Sequence, residues 1–384
     1  MGPLSGIRII EIAGIGPGPF AAMLLADMGA DVIRIDRPEV SMFANQTELD
    51  FLNRGKRSIC IDLKKDGAVA LVEKLVRSAD GFLEGFRPGV LEKYGLGPDD
   101  CLALNEGLVY GRMTGWGQEG PLANRAGHDI NYIALAGALE PMGRAGEKPA
   151  VPLNLVGDFG GGGMLLAFGM VCALLEAKNS GKGQVVDAAM VDGASLLMTS
   201  IFSAFQTGYW GERGTNMIDG GAPFYEVYET ADGKYVAVGA LESQFYQVLV
   251  ERLGLADSLP NQYDMEQWPA MKERFAEVFA SRTRDEWTQL FADTDACVTP
   301  VLAPDELKDH PHHQARNSIV ERDGVWQPRT APRFSRTDGG TPANAVALGH
   351  NSHEILTELG ISEDDQRELI ANGVVSAAGQ RIGD

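Results

Sequence analysis

The densest group of chemistry-bearing side chains is Asn53-Arg54-Gly55-Lys56-Arg57-Ser58, followed by Lys64 and Lys65. From Phe51 to Lys65 there are five basic residues and one acid, Asp62, a local charge of +4 in a chain whose formal charge is −20. Such a run reads either as a solvated loop or as a phosphate site. With Arg34, Arg37, Arg87 and Lys93 in the same part of the chain, it has the chemistry to hold the several phosphates of a nucleotide carrier.

A second candidate is the turn Gly14-Ile15-Gly16-Pro17-Gly18-Pro19, which follows a strand-like run and opens a helix. Asp36 lies where a dinucleotide fingerprint would place its ribose acid, but proline stands in place of the last fingerprint glycine. The turn reads as structural, or as an anion- or oxyanion-lining helix start. His128 in Ala126-Gly127-His128-Asp129, Asp158 in Val156-Gly157-Asp158-Phe159-Gly160-Gly161, and Glu242 between a strand and a helix are titratable groups with plain structural alternatives. Asp158 and Glu242 both stand where a helix cap would. The cluster Asp309-His310-Pro311-His312-His313 lacks a second ligand pair and reads as a solvated loop.

The elements that must position these groups follow from pattern. Strand-like runs at Gly6–Ala13, Asp31–Asp36, Ser58–Asp62, Gly81–Phe86, Leu108–Thr114 and Gln184–Met190 alternate with helical stretches, the rhythm of a mostly parallel α/β sheet. The apolar run Gly160–Leu175 is short for a membrane span and reads as a buried helix. Near Tyr225 the pattern changes to a hairpin, Tyr225–Glu229 and Tyr235–Ala240, across an Ala-Asp-Gly turn, and helices follow. The expected division is a large α/β domain of 1–185 and 331–384, a helical linker 186–224, a small α+β domain 225–310 and a return linker 311–330. With 384 residues, two domains are expected. Strong acidity argues against nucleic acid or anionic membrane as partners. Four scattered cysteines, Cys60, Cys101, Cys172 and Cys297, fit a reduced, cytoplasmic protein without a zinc site or disulfide framework.

Taken in order, several segments resemble the family III CoA-transferase superfamily and, within it, the α-methylacyl-CoA racemases. They are the 14–19 turn, Arg54-Gly55-Lys56-Arg57, Glu84-Gly85-Phe86-Arg87-Pro88-Gly89-Val90, Thr114-Gly115-Trp116-Gly117, Gly127-His128-Asp129 and Gly157-Asp158-Phe159-Gly160-Gly161-Gly162. Gly181-Lys182-Gly183-Gln184-Val185-Val186-Asp187-Ala188-Ala189-Met190 and Gly220-Gly221-Ala222-Pro223 complete the series.

The resemblance implies a large Rossmann-like parallel-sheet domain and a smaller α+β domain, interlocked in a homodimer that shares its active site between subunits. It implies epimerisation of 2-methylacyl-CoA thioesters through an enolate, with His128 and Asp158 as the acid–base pair and Glu242 orienting the histidine. The enolate oxygen is expected to meet backbone N–H groups at a helix start near Phe159–Gly163. By the same resemblance Arg37, Arg54, Gly55, Lys56, Arg57, Leu83, Lys93, Ala126, Gly127 and Asp129 contact CoA, with no metal and no cofactor beyond CoA as part of the substrate. A lysine at 93 stands where relatives often carry arginine. The alternative within the superfamily is CoA transfer between carboxylic acids with Asp129 as nucleophile.

Overall fold

The computed structural model describes residues 2–38 and 49–376, which form two compact units. The first comprises the chain up to Ala136, Leu153–Leu197 and the stretch from His312 onward; the second comprises Gly137–Pro152 and Met198–Pro311.

In the first unit β1 (Arg8–Ile12), β2 (Asp31–Asp36), β3 (Arg57–Ile61), β4 (Gly81–Glu84), β5 (Val109–Thr114) and β6 (Val185–Ala189) run parallel in one sheet. The short strand Val375–Ser376 adds antiparallel to β3, giving the order 375–376, β3, β2, β1, β4, β5, β6. Both faces of the central strands are covered, so they read as apolar runs: Ile9, Ile10, Ile33, Ile35, Ile59 and Phe82 are buried. The strand order reverses between β1 and β4, and in open α/β sheets ligands collect beyond the strand ends at such a reversal.

The helices of this unit are α1 (Pro17–Asp27), α2 (Ala68–Arg77), α3 (Pro98–Leu104), α4 (Asp129–Leu135), α5 (Leu165–Ser180) and α6 (Met190–Leu197). In α2 the residues Leu71, Val72, Leu75 and Val76, at helical spacing, are buried while Lys74 and Arg77 face solvent. A ten-residue π-helical segment, Leu155–Met164, runs directly into α5. The combined stretch is long and apolar enough to cross a membrane by length and composition. It is not the fully buried helix expected from its sequence. Leu166, Met170, Ala173 and Leu174 pack inward, but Met164, Phe168, Val171 and Leu175 form an exposed apolar stripe, because a helix lying on a sheet buries only one face.

The second unit holds α7 (Thr199–Gln206) and a three-stranded antiparallel sheet of β7 (Tyr225–Glu229), β8 (Tyr235–Gly239) and β9 (Val298–Pro300). Gly233 takes φ +70° in the β7–β8 turn, as expected of the Ala-Asp-Gly sequence. One sheet face packs on α8 (Ser243–Leu253), α9 (Trp268–Phe279) and α10 (Arg284–Phe291), with Phe224, Phe275, Phe279 and Trp287 in the core. Residues 137–152 belong here because Arg144 pairs with the buried Glu226 and Arg213 pairs with Glu140. The stretch 186–224 divides between the units: α6 packs on the π-helical segment in the first, and α7 lies in the second. The polar stretch 303–317 carries a 3-10 turn, Pro304–Asp309, and a short helix, Pro311–Arg316. The hairpin Ile319–Arg322 and Val325–Pro328 follows in the first unit.

Candidate active site

Three titratable residues meet in the first unit. His128 is the N-cap of α4, with extended backbone (φ −135°, ψ 172°), and its side chain is exposed. Asp129 opens that helix and is buried. Its Oδ1 accepts the backbone N–H of Asp158 at 2.7 Å. Asn154 donates to Asp158 Oδ2 at 3.1 Å. Burial raises the proton affinity of the Asp158 carboxyl above the ordinary aspartate value, and the charge of Asp129 adds to it; Asn154 and His128 act in the opposite sense. The result is a carboxyl biased toward its protonated form, within electrostatic reach of an imidazole.

Local sequence explains the approach. A Cβ on Gly157 would lie 2.5 Å from Asp129 Oδ1, so only glycine lets Asp129 reach the Asp158 N–H. Gly16, at φ +67°, ends the β1–α1 turn, and its Cβ position lies 3.2 Å from Asp158 Oδ2. The Gly14–Pro19 turn is therefore a wall of the Asp158 site. Asp36 is not free to hold a ribose: Arg34 and Ser58 bind its carboxylate in the interior.

The glycines after Asp158 serve contact between elements. Gly193 and Gly161 touch backbone to backbone, and Gly162 and Gly163 lie against Pro17 and Phe20 of α1. This corrects the expectation of a helix start at Phe159–Gly163. Those residues are the interior of the helix beginning at Leu155, where N–H groups serve the helical ladder. The open start of this helix lies at Leu155–Asp158, and Asp129 takes the N–H of Asp158.

The basic cluster is also placed differently from a phosphate site. Arg54 is buried, paired with Asp27 at 2.5 Å and donating to Gln327 Oε1 and Pro328 O. Lys56 is buried on Glu11 at 2.7 Å and donates to Pro19 O and Asn53 Oδ1. Arg57 pairs with Asp31, Glu354 and Glu358. These charges are satisfied by the chain's own carboxylates: Arg54 and Lys56 are buried just before β3, and Arg57 opens that strand half-buried. Leu83 is buried in β4, with Gly18 lying over its side chain.

A cavity of about 730 Å³ instead opens beyond the ends of β1, β2 and β3. Arg37, Asp62, Lys64, Phe86 and Tyr94 are among its walls. Arg37 stacks over the Phe86 ring at 5.1 Å. Lys93 is exposed in the turn Glu92–Tyr94 beside it. Lys64 belongs to the basic group read from the sequence, whereas Asp62, Phe86 and Tyr94 were not singled out there as ligand contacts; Asp62 and Phe86 were marked only by their position at strand ends near the sheet reversal.

Glu242 lies in the second unit. It is the N-cap of α8 through its backbone carbonyl, which receives the N–H groups of Phe245 and Tyr246, and its side chain makes no capping bond. The carboxylate is exposed, and its charge pushes up the Cys297 thiol after the larger effect of burial. Among the described residues no group of three or more His, Cys, Asp or Glu side chains is arranged to hold a metal ion.

The chain belongs to CoA-transferase family III, whose sequence pattern matches residues 4–352. It is similar to the α-methylacyl-CoA racemases of Mus musculus and Homo sapiens, each 45% identical and covering 97% of this chain and 98% of the relative. It is also similar to succinyl-CoA–D-citramalate CoA-transferase of Chloroflexus aurantiacus, at 32% identity over 97% of this chain and 98% of the relative. Among solved structures, a CAIB/BAIF family protein from Brucella suis superposes with a TM-score of 0.81 at 26% identity, covering 93% of this chain and 99% of the other.

Proposed function

We propose that this chain is an α-methylacyl-CoA racemase, interconverting the 2R and 2S forms of 2-methyl-branched acyl-CoA thioesters by 1,1-proton transfer. The observation that carries the reading is the meeting of His128 and Asp158 at one site, tied together by Asp129, which follows His128 at the start of α4 and accepts the Asp158 N–H at 2.7 Å. Near-full-length similarity to the two mammalian racemases supports it.

In this mechanism neutral His128 takes the α-proton from one epimer, the electron pair moves onto the thioester oxygen as an enolate, and protonated Asp158 returns a proton to the other face. The opposite epimer runs the same steps in reverse, with Asp158 as base. A desolvated carboxyl suits this task because it must be protonated at rest in one direction. No electron leaves or enters the substrate, so no redox group is required, and CoA enters as part of the substrate.

The cavity beyond β1–β3 suits the nucleotide end of CoA, with Arg37 and Lys64 toward its phosphates and Phe86 toward its base. The transferase alternative is disfavoured because Asp129 is buried and its Oδ1 holds the Asp158 N–H, whereas a nucleophile must reach the thioester.

We further propose a homodimer in which Glu242 of one subunit orients His128 of the other and stabilises its imidazolium, as a carboxylate does for a catalytic histidine. The exposed stripe Met164, Phe168, Val171 and Leu175, spaced as on one face of a helix, supports association. A cytoplasmic location rests on the four free thiols. The direct test is incubation with one epimer of a 2-methylacyl-CoA, with no acceptor acid, followed by chiral chromatography. Approach to a mixture of epimers supports the reading, and retention of a single epimer overturns it.

A further inference from the structure

The motif Thr114-Gly115-Trp116-Gly117 has no place in the proton-transfer chemistry, yet its backbone lies against the helix that His128 caps. A Cβ on Gly115 would fall 2.1–2.2 Å from the Tyr132 ring and 2.6 Å from its hydroxyl oxygen, and one on Gly127 would fall 2.8 Å from the same ring and 3.0 Å from Trp116. Tyr132 is buried in this notch, edge-on to Trp116 with ring centroids 4.8 Å apart. Its hydroxyl donates to the carbonyl of Gly127. At the other end of the same peptide, the His128 N–H donates to Asn131 Oδ1 at 3.1 Å.

We infer that Tyr132 is a positioning residue for His128: together with Asn131 it clamps the Gly127–His128 peptide at both ends and so fixes the direction in which the imidazole leaves the backbone. The two clamping side chains are neighbours in the first turn of α4, the helix that Asp129 opens and that anchors the Asp158 N–H. The helix therefore fixes one member of the acid–base pair through side chains reaching back to its own cap and the other through Asp129. Glycine at 115 is the condition for this arrangement, since any side chain there would displace the Tyr132 ring. Proton transfer between fixed groups is sensitive to such placement.

The inference rests on the racemase reading, so wild-type enzyme is assayed first for C2 proton exchange in a 2-methylacyl-CoA. Tyr132→Phe keeps the ring and removes only the hydroxyl. It is expected to lower kcat for exchange by about 10- to 100-fold with KM changed less than about twofold, and to move the limbs of the kcat–pH profile. Tyr110→Phe is the control. Tyr110 donates a comparable bond to a backbone carbonyl, Leu96 O at 2.9 Å, in the core of the same unit. It is expected to lower the melting temperature and leave kcat and the pH profile unchanged. Should Tyr132→Phe prove too unstable to assay, Asn131→Ala frees the other end of the peptide and is expected to give the same kcat loss. An active wild type with Tyr132→Phe matching it in kcat and pH profile overturns the positioning role; a wild type without exchange overturns the reading beneath it.

Discussion

Asp129 receives the backbone N–H of Asp158 at 2.7 Å, and Gly157 is the residue whose missing side chain permits it. The carboxylate that serves as nucleophile in the transferase alternative is thus used here to hold the helix start carrying the other acid. Its second oxygen, Oδ2, is buried without a hydrogen-bond partner among the described residues.

Asp129→Ala should therefore leave the Asp158 N–H without an acceptor, at a cost of about 1–3 kcal/mol of stability, and should lower kcat by roughly 100-fold through misplacement. Asp129→Asn keeps an oxygen that can accept and should retain more of both. Thermal melts and turnover of the two variants check this; equal loss in both would assign Asp129 a charge-dependent role instead.

The raised proton affinity of Asp158 has a sign. Its folded-state pKa lies above the ordinary 3.8, with burial the largest cause. The folded state therefore binds the proton more tightly, and the associated stability is full below the ordinary value and is lost as pH rises through the folded one. At pH 7 the ionisable side chain is a burden, so Asp158→Asn should raise the melting temperature there, should narrow that difference at acid pH, and should abolish inversion. A variant no more stable than wild type at pH 7 would contradict the assignment of a desolvated carboxyl.

Arg37 and Lys56 separate ligand binding from folding. Arg37 is exposed beside the cavity, and Arg37→Ala should raise KM for a CoA thioester by roughly 10- to 100-fold with little change in melting temperature. Lys56→Ala leaves Glu11 buried without its partner and should cost about 3–5 kcal/mol, appearing as a lower melting temperature. KM values and melting curves of both variants decide whether the basic cluster acts on substrate or on the fold.

In the proposed homodimer the stripe Met164, Phe168, Val171 and Leu175 carries the association. Phe168→Glu places a charge in its middle, where Phe168 is 68% exposed in the single chain. Sedimentation should then show a monomer with little activity, since Glu242 could no longer reach the other subunit's site. A dimeric, fully active variant would move the interface elsewhere.

Much of the fold was legible. The six parallel strands are apolar runs bounded by turn residues, and each lies within two residues of its expected ends. The helix at 155–180 was legible as a helix, but not its one-sided burial, because periodicity records which residues are apolar and not what covers them. Val298–Pro300 and the 319–328 hairpin escaped because they are short and pair with distant or turn-linked partners. The site residues His128 and Asp158 stood out only through the family resemblance; their meeting depends on Gly157 and Asp129, a contact between residues far apart in the chain. The basic cluster misled because composition reports charge and not its partners. Asp27, Glu11 and Asp31, which neutralise it, lie on other strands and helices.

The most direct measurement is to incubate one epimer of a 2-methylacyl-CoA in deuterated buffer, without an acceptor acid, and follow C2 by NMR. Deuterium is expected at C2 together with inversion in the wild type, with loss of exchange from at least one epimer in His128→Ala and exchange uncoupled from inversion in Asp158→Ala. A C2 that keeps its proton, while an added carboxylic acid captures the CoA, would contradict it and make Asp129 the nucleophile.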